Sequence, residues 1–203
     1  MIKSPSSAGF TLIEMMIVVV IMAILSAVAF PAFQAFIASN RLTAESNELL
    51  AGLNLARSES VRVQRRVVLC RAAASNGVVT FSAGNACVTT ADSNPWQAWG
   101  VFVDDDSSGD LNGTERVVRV QAINGSSIRV VSDSTLATAG NRIVFRPDGM
   151  ARGAGSLALQ SAQIRVCDNS GAITGENVRI VSLASGSRMS VSRATDAGCG
   201  NGS

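Results

Sequence analysis

One carboxylate interrupts an otherwise apolar run near the start of the chain. From Leu12 to Phe30 the only charged residue is Glu14. A lone carboxylate in lipid costs on the order of 2.5–3.5 kcal/mol on insertion scales, so a residue of this kind calls for a cationic partner. Four cysteines follow it: Cys70, Cys87, Cys167 and Cys199. None lies in a CxxC pair, so zinc-type spacing is absent. The segment DDDSSGDLNGTE, Asp104 to Glu115, is acidic at its first and third positions. Gly stands at its sixth and Glu at its twelfth, which is the spacing of a calcium-binding EF-hand loop; Ser108 at the fifth departs from it. Two groups of arginines offer phosphate contacts. Arg57, Arg62, Arg65, Arg66 and Arg71 form one, and Arg179, Arg188 and Arg193 the other. Histidine is absent from all 203 residues. That removes the commonest general base and metal ligand. No nucleophile–base pair, phosphate loop or cofactor box appears, so the chain reads as non-enzymatic, with no cofactor, metal or small-molecule substrate.

Glu14 sits on an element that must be a helix. Residues 10–30, FTLIEMMIVVVIMAILSAVAF, are long enough at ~1.5 Å per residue to cross a hydrocarbon core. Lys3 precedes them and belongs on the cytoplasmic side, which leaves the remainder outside. An ordinary signal peptide would end in small residues of A-x-A type, and Ala27–Ala29 is a weak match. A plain signal anchor fits the length. Neither explains Glu14. Pro31 lies within the helical pattern and is expected to kink it or loosen one turn.

From Gln34 to about Val63 the pattern stays helical and becomes amphipathic. Leu42, Leu49, Leu53 and Ala56 form a stripe, with Leu50 beside it. Arg41, Glu45, Glu48, Arg57 and Arg62 occupy the other faces. The stripe is a core face and is expected to pack on a sheet.

After Arg66 the pattern turns to short β-type runs. They are 66–71, 78–82, 99–104, 115–121, 127–132, 142–147, 162–168, 177–184 and 187–193. Asn-Gly at 76–77, 112–113 and 124–125, and Pro-Asp-Gly at 147–149, punctuate them. The acidic segment 104–115 therefore joins two strands where an EF-hand needs two helices, and it reads as a solvated hairpin loop. The cysteines all follow the apolar segment, where an exported domain would be oxidised. The pairing Cys70–Cys87 with Cys167–Cys199 closes two local loops; buried thiols are the alternative. Trp96 and Trp99 read as core or subunit-interface anchors.

The stretch GFTLIEMMIVVVIMAILSAVAFPAF, Gly9 to Phe33, resembles the type IV pilin and pseudopilin superfamily. The resemblance implies that a prepilin peptidase cuts between Gly9 and Phe10. It implies an N-methylated Phe10 as the mature terminus and Glu14 as the assembly glutamate. Apolar helices of this kind pack as a filament core. There Glu14 can neutralise the terminal amine of a neighbour, and a buried pair of that sort fixes axial register.

Further segments, VVLCR, WGVFVDDDSSGDLNGTERVVR and RIVFRPDGMA, resemble the GspH/FimT family of minor pilins and pseudopilins. That implies an α+β pilin fold, a long helix packed on a β-rich domain of antiparallel sheets. The expected organisation is a leader (1–9), a transmembrane and filament-core helix (10–33), an amphipathic half (34–63) and a periplasmic globular domain (64–203). The implied role is to prime or cap a type IV pilus, or the tip of a type II secretion pseudopilus. The implied partners are other pilin or pseudopilin subunits, the prepilin peptidase and the inner membrane. Some family members take up DNA through a C-terminal Gly-Arg-x-Arg motif. The comparable stretch here is Gly186-Ser187-Arg188-Met189-Ser190, where the second arginine is missing unless Arg193 replaces it. Arg188 and Arg193 are thus the candidate DNA contacts.

Overall fold

The computed structural model describes residues 9–91, 94–113, 115–125, 127–153 and 156–195. Leader residues 1–8 and Cys199 lie outside the described residues. The first element, α1, runs from Leu12 to Val63 as one helix of 52 residues. At ~1.5 Å per residue it is about 78 Å long. It continues unbroken through Pro31, although that residue has no N–H to donate. Gln64, in the left-handed region (φ 53°), ends it.

Among the described residues, ten strands and a short helix follow. They are β1 (Arg66–Ser75), β2 (Val78–Thr80), β3 (Ala98–Asp104), β4 (Val117–Ala122), β5 (Ile128–Ser132), α2 (Ser134–Thr138), β6 (Arg142–Phe145), β7 (Ala151–Arg152), β8 (Ala162–Asp168), β9 (Val178–Ala184) and β10 (Arg188–Ala194). The first sheet has the order β4-β3-β1-β6-β7, with β2 paired to the end of β1. The second has the order β10-β9-β8-β5. All pairings are antiparallel. The Asn76-Gly77 turn between β1 and β2 takes positive φ at both residues, as a two-residue hairpin requires. The strand expected over 78–82 stops at Thr80, and Phe81 leaves the ladder to pack edge-on against Phe102. α2 and β7 are additions to the expected elements. α2 is capped by Asp133, whose side chain accepts from the Leu136 N–H at 2.8 Å.

Strand alternation divides the first sheet into two faces. Val67 and Leu69 of β1 point inward with Val101 and Val103 of β3. Val68, Cys70 and Phe102 point outward, where Ala86 and Leu111 cover them. The stripe Leu42, Leu49, Leu53 and Ala56 is fully buried, and it joins inner residues of both sheets in one cluster. Trp99 and Trp96 are core residues of that cluster. The Cys70–Cys87 disulfide spans 17 residues and ties the 81–97 segment to the outer face of the first sheet. In the chain-entropy account such a loop contributes about 3 kcal/mol. Cys167 is buried in β8, beside Val178 of β9.

Two glycines mark close approaches. A Cβ on Gly186 (φ 68°) would stand 2.5 Å from the Ala151 carbonyl oxygen, so the β9–β10 turn docks on β7 only with glycine there. A Cβ on Gly52 would stand 2.6 Å from the Trp99 indole, which is buried and cannot swing away. Overpacking of this kind costs about 1–3 kcal/mol, more than a β-branched residue gains over glycine in helix propensity. Gly52→Val should therefore lower stability by about 1–2 kcal/mol in denaturant titrations. An unchanged midpoint would show that α1 does not press on Trp99.

Candidate functional site

The first turn of α1 closes on itself. Thr11 is the N-cap, in extended conformation (φ −80°, ψ 154°). Its Oγ1 accepts from the Glu14 N–H at 3.3 Å. Glu14 Oε2 in return accepts from the Thr11 N–H at 2.8 Å and the Thr11 hydroxyl at 2.9 Å. This is a capping box, and it satisfies two of the orphan donors at a helix start. Both bonds use Oε2, so Oε1 remains outside the box. The Thr-x-x-Glu spacing that produces this arrangement is visible in the residues themselves, although Glu14 attracts notice as a charge before it does as a cap.

Around this turn the side chains face outward. Every residue from Gly9 to Gln34 is exposed, and Phe10 is 84% so. The domain's own sheets bury α1 only from Ala38 onward. An 18-residue apolar window within α1, none of it buried by the chain, is long enough to cross a membrane. So large an unburied apolar surface calls for a non-aqueous covering.

The second half of α1 carries three more carboxylates in three different states. Glu48 pairs with Arg119 of β4, whose guanidinium lies 5.6 Å from the Trp99 ring centroid. Glu59 is buried and accepts from Arg62 at 2.7 and 2.6 Å, and also from Arg116. Those hydrogen bonds hold its pKa down, to about 2. Glu45 is half-buried with no partner at Oε1. Burial, and then the charge of Glu48, push its pKa up to about 7.

The arginines do not form one surface. Arg62 turns to Glu59, Arg65 lies 3.9 Å from Asp105, and Arg66 donates to the Ser107 carbonyl at 3.2 Å. Arg71 and Arg179 are buried. Arg188 and Arg193 are five residues apart on β10, so strand alternation puts them on opposite faces. Arg193 reaches Glu176 at 3.4 Å. The acidic loop, by contrast, does converge. Asp104, Asp106 and Glu115 bring carboxylate oxygens within 4.8 Å of one another.

A long helix whose lower half packs on two small antiparallel sheets, with an apolar upper half bearing one glutamate, defines the pilin class. The fold is similar to that of the type IV minor pilin FimU of Pseudomonas aeruginosa (TM-score 0.50, 18% identity, 77% of this chain and 92% of that one). The chain belongs to the family described as type II transport protein GspH, whose pattern matches residues 45–194. A prokaryotic N-terminal methylation motif matches residues 4–30. Over 44 residues the chain is 54% identical to a type IV major alpha-pilin and 52% identical to fimbrial protein Q, both of Moraxella bovis. Those matches cover 22% of this chain and 28% of each relative. Family and fold are those of structural pilins, not of enzymes.

Glu45 sets a pH dependence. Its folded pKa of about 7 lies above the ordinary 4.5, so the folded state holds a proton that the unfolded chain releases. Stability from this group therefore falls as pH rises from about 4.5 to about 7. Glu45→Gln should raise the melting temperature at pH 8 and leave it nearly unchanged at pH 4. The gain at pH 8 should be of order 1–3 kcal/mol. An equal effect at both pH values would contradict the assignment. Glu59 acts in the opposite sense: its contribution is complete above 4.5 and is lost as pH falls toward about 2.

Proposed function

We propose that the protein is a minor type IV pilin that primes or caps pilus assembly. The observation that carries the reading is the upper half of α1, wholly uncovered by its own domain and marked by Glu14 in its first turn. Lipid covers this half before assembly, and the helices of other pilins cover it afterwards. Lys3 stays on the cytoplasmic side and the globular domain is periplasmic. The peptidase cuts between Gly9 and Phe10. The new amine of Phe10 is methylated, and its positive charge meets Glu14 of a neighbouring subunit. In a filament core an unpaired charge is costly, so the pair selects one axial register.

A second reading has direct support in the family description: a pseudopilin at the tip of a type II secretion pseudopilus. The physical role of α1 is the same in both. Loss of the gene separates them, since surface pili disappear in the first case and release of a secreted protein stops in the second.

The intact mass of the mature protein should correspond to loss of residues 1–9 and gain of one methyl. Glu14→Ala should leave membrane levels unchanged and lower the amount recovered in sheared filaments. The expected loss is on the order of tenfold to a hundredfold, from the cost of the partner amine left unpaired. Normal incorporation of the Glu14→Ala protein would end this account of Glu14.

A further inference from the structure

Five carboxylates crowd the passage from β3 to β4, and three of them, Asp104, Asp106 and Glu115, have no arginine to balance them. Asp104 comes from the end of β3, Asp106 from the loop and Glu115 from its far end. Their oxygens lie within 4.8 Å of one another. Among the described residues no arginine comes within ion-pair distance of any of the three. The arginines nearby are engaged elsewhere. Arg142 binds Asp110 at 2.9 Å and the Gly109 carbonyl at 2.8 Å, Arg65 faces Asp105, and Arg66 reaches the Ser107 carbonyl.

The hydrogen bonds that these three carboxylates accept come from neutral groups. Asp106 accepts from the Ser108 N–H at 2.9 Å and from the Asn112 amide at 2.8 Å. Glu115 accepts from the Asp105 N–H at 2.7 Å and the Asn112 N–H at 2.8 Å. Asp104 Oδ2 accepts from the Gly109 N–H at 3.2 Å. Asp104 Oδ1 has no partner, and Asp104 is only 1% exposed. A buried carboxylate oxygen without a donor is costly, and two further carboxylates beside it make it more so.

We propose that this loop is a divalent-cation site, and that the cation is calcium. Asp104, Asp106 and Glu115 supply the carboxylate ligands, and the ion gives the buried Asp104 Oδ1 the partner it lacks. They stand at positions one, three and twelve of a twelve-residue loop, as in calcium loops of the EF-hand type. All the ligands are hard oxygens, and a chain without histidine offers no imidazole, which argues against zinc or copper. Calcium–oxygen distances of about 2.4 Å put opposite ligands about 4.8 Å apart, while magnesium needs a tighter octahedron. The flanking strands take the place of the helices in an EF-hand; the ligands come from the loop and need only converge. Next to Glu115, Arg116 pairs with Glu59 of α1. A bound ion would therefore brace the loop against the end of the helix.

The test uses the full chain in detergent micelles, stripped with EDTA and titrated by calorimetry. Calcium should bind at one site with a dissociation constant at or below about 1 mM, the range of extracellular calcium modules. It should also raise the melting temperature. Magnesium should bind at least about tenfold more weakly. Asp106 is exposed, so Asp106→Asn removes a ligand without disturbing the core, and it should weaken calcium binding by about tenfold or more. Three results would overturn the proposal. They are no binding by the wild-type chain at calcium well above the millimolar range, equal binding of magnesium, or full calcium affinity in Asp106→Asn. The wild-type titrations decide the matter even if a variant fails to fold.

Discussion

A single helix has to satisfy two different surroundings, and the rest of the structure is arranged around that demand. Below Ala38, α1 is the central rod of a folded domain, with its leucine stripe shared between two sheets. Above it the same helix presents apolar side chains in every direction. The lower half could not form a core without sheets on it, and the upper half has no sheet to use. The hydrophobic effect therefore acts on this one element in two places: it folds the domain around the lower half, and in the proposed role it gathers the upper half with helices of other chains. One helix can serve both purposes because its helical conformation continues through Pro31, which gives up one backbone donor there.

Charge on this helix follows the same division. Glu59 and Glu48 have arginine partners from the first sheet and its loop, so they help to fix the helix against β4. Glu45 has none at Oε1 and is carried at a cost that depends on pH. Glu14 is held by its own cap and has an oxygen to spare. Paired carboxylates hold the domain together. The partly satisfied ones are where the surroundings, whether a proton or another subunit, can alter the balance.

Much of this was legible from residue pattern. The stripe Leu42–Leu49–Leu53–Ala56 repeats at helical spacing, so its burial follows from periodicity. Alternation shows in β8 and β9, one face of which meets the common core, whereas β1 and β3 are covered on both faces and read as continuous apolar runs. The Cys70–Cys87 bridge was readable from loop length and compartment. Other features depended on contacts distant in sequence. β7 has two residues and exists only because β6 and the β9–β10 turn lie beside it. Phe81 looks like a strand residue by propensity, yet it serves as a lid over Gly100. The two arginines of β10 looked like a pair by proximity in sequence, and the pleat separates them. Convergence of Asp104, Asp106 and Glu115 was hinted at by spacing, but the orphaned oxygen that makes it informative appears only in three dimensions.

The capping box at Thr11 and Glu14 has a bearing on how a subunit changes hands. A cut after Gly9 would alter the nitrogen of Phe10 and leave the Thr11 amide, on which the box depends, as it was. If the subunit passes from bilayer to fibre as proposed, the tip of its rod is finished before it leaves. Such a transfer would be a sideways exchange of neighbours, lipid chains for protein rods, with no coil to wind at the leading end. A handover of that kind carries no cost for nucleating a turn at the moment of docking.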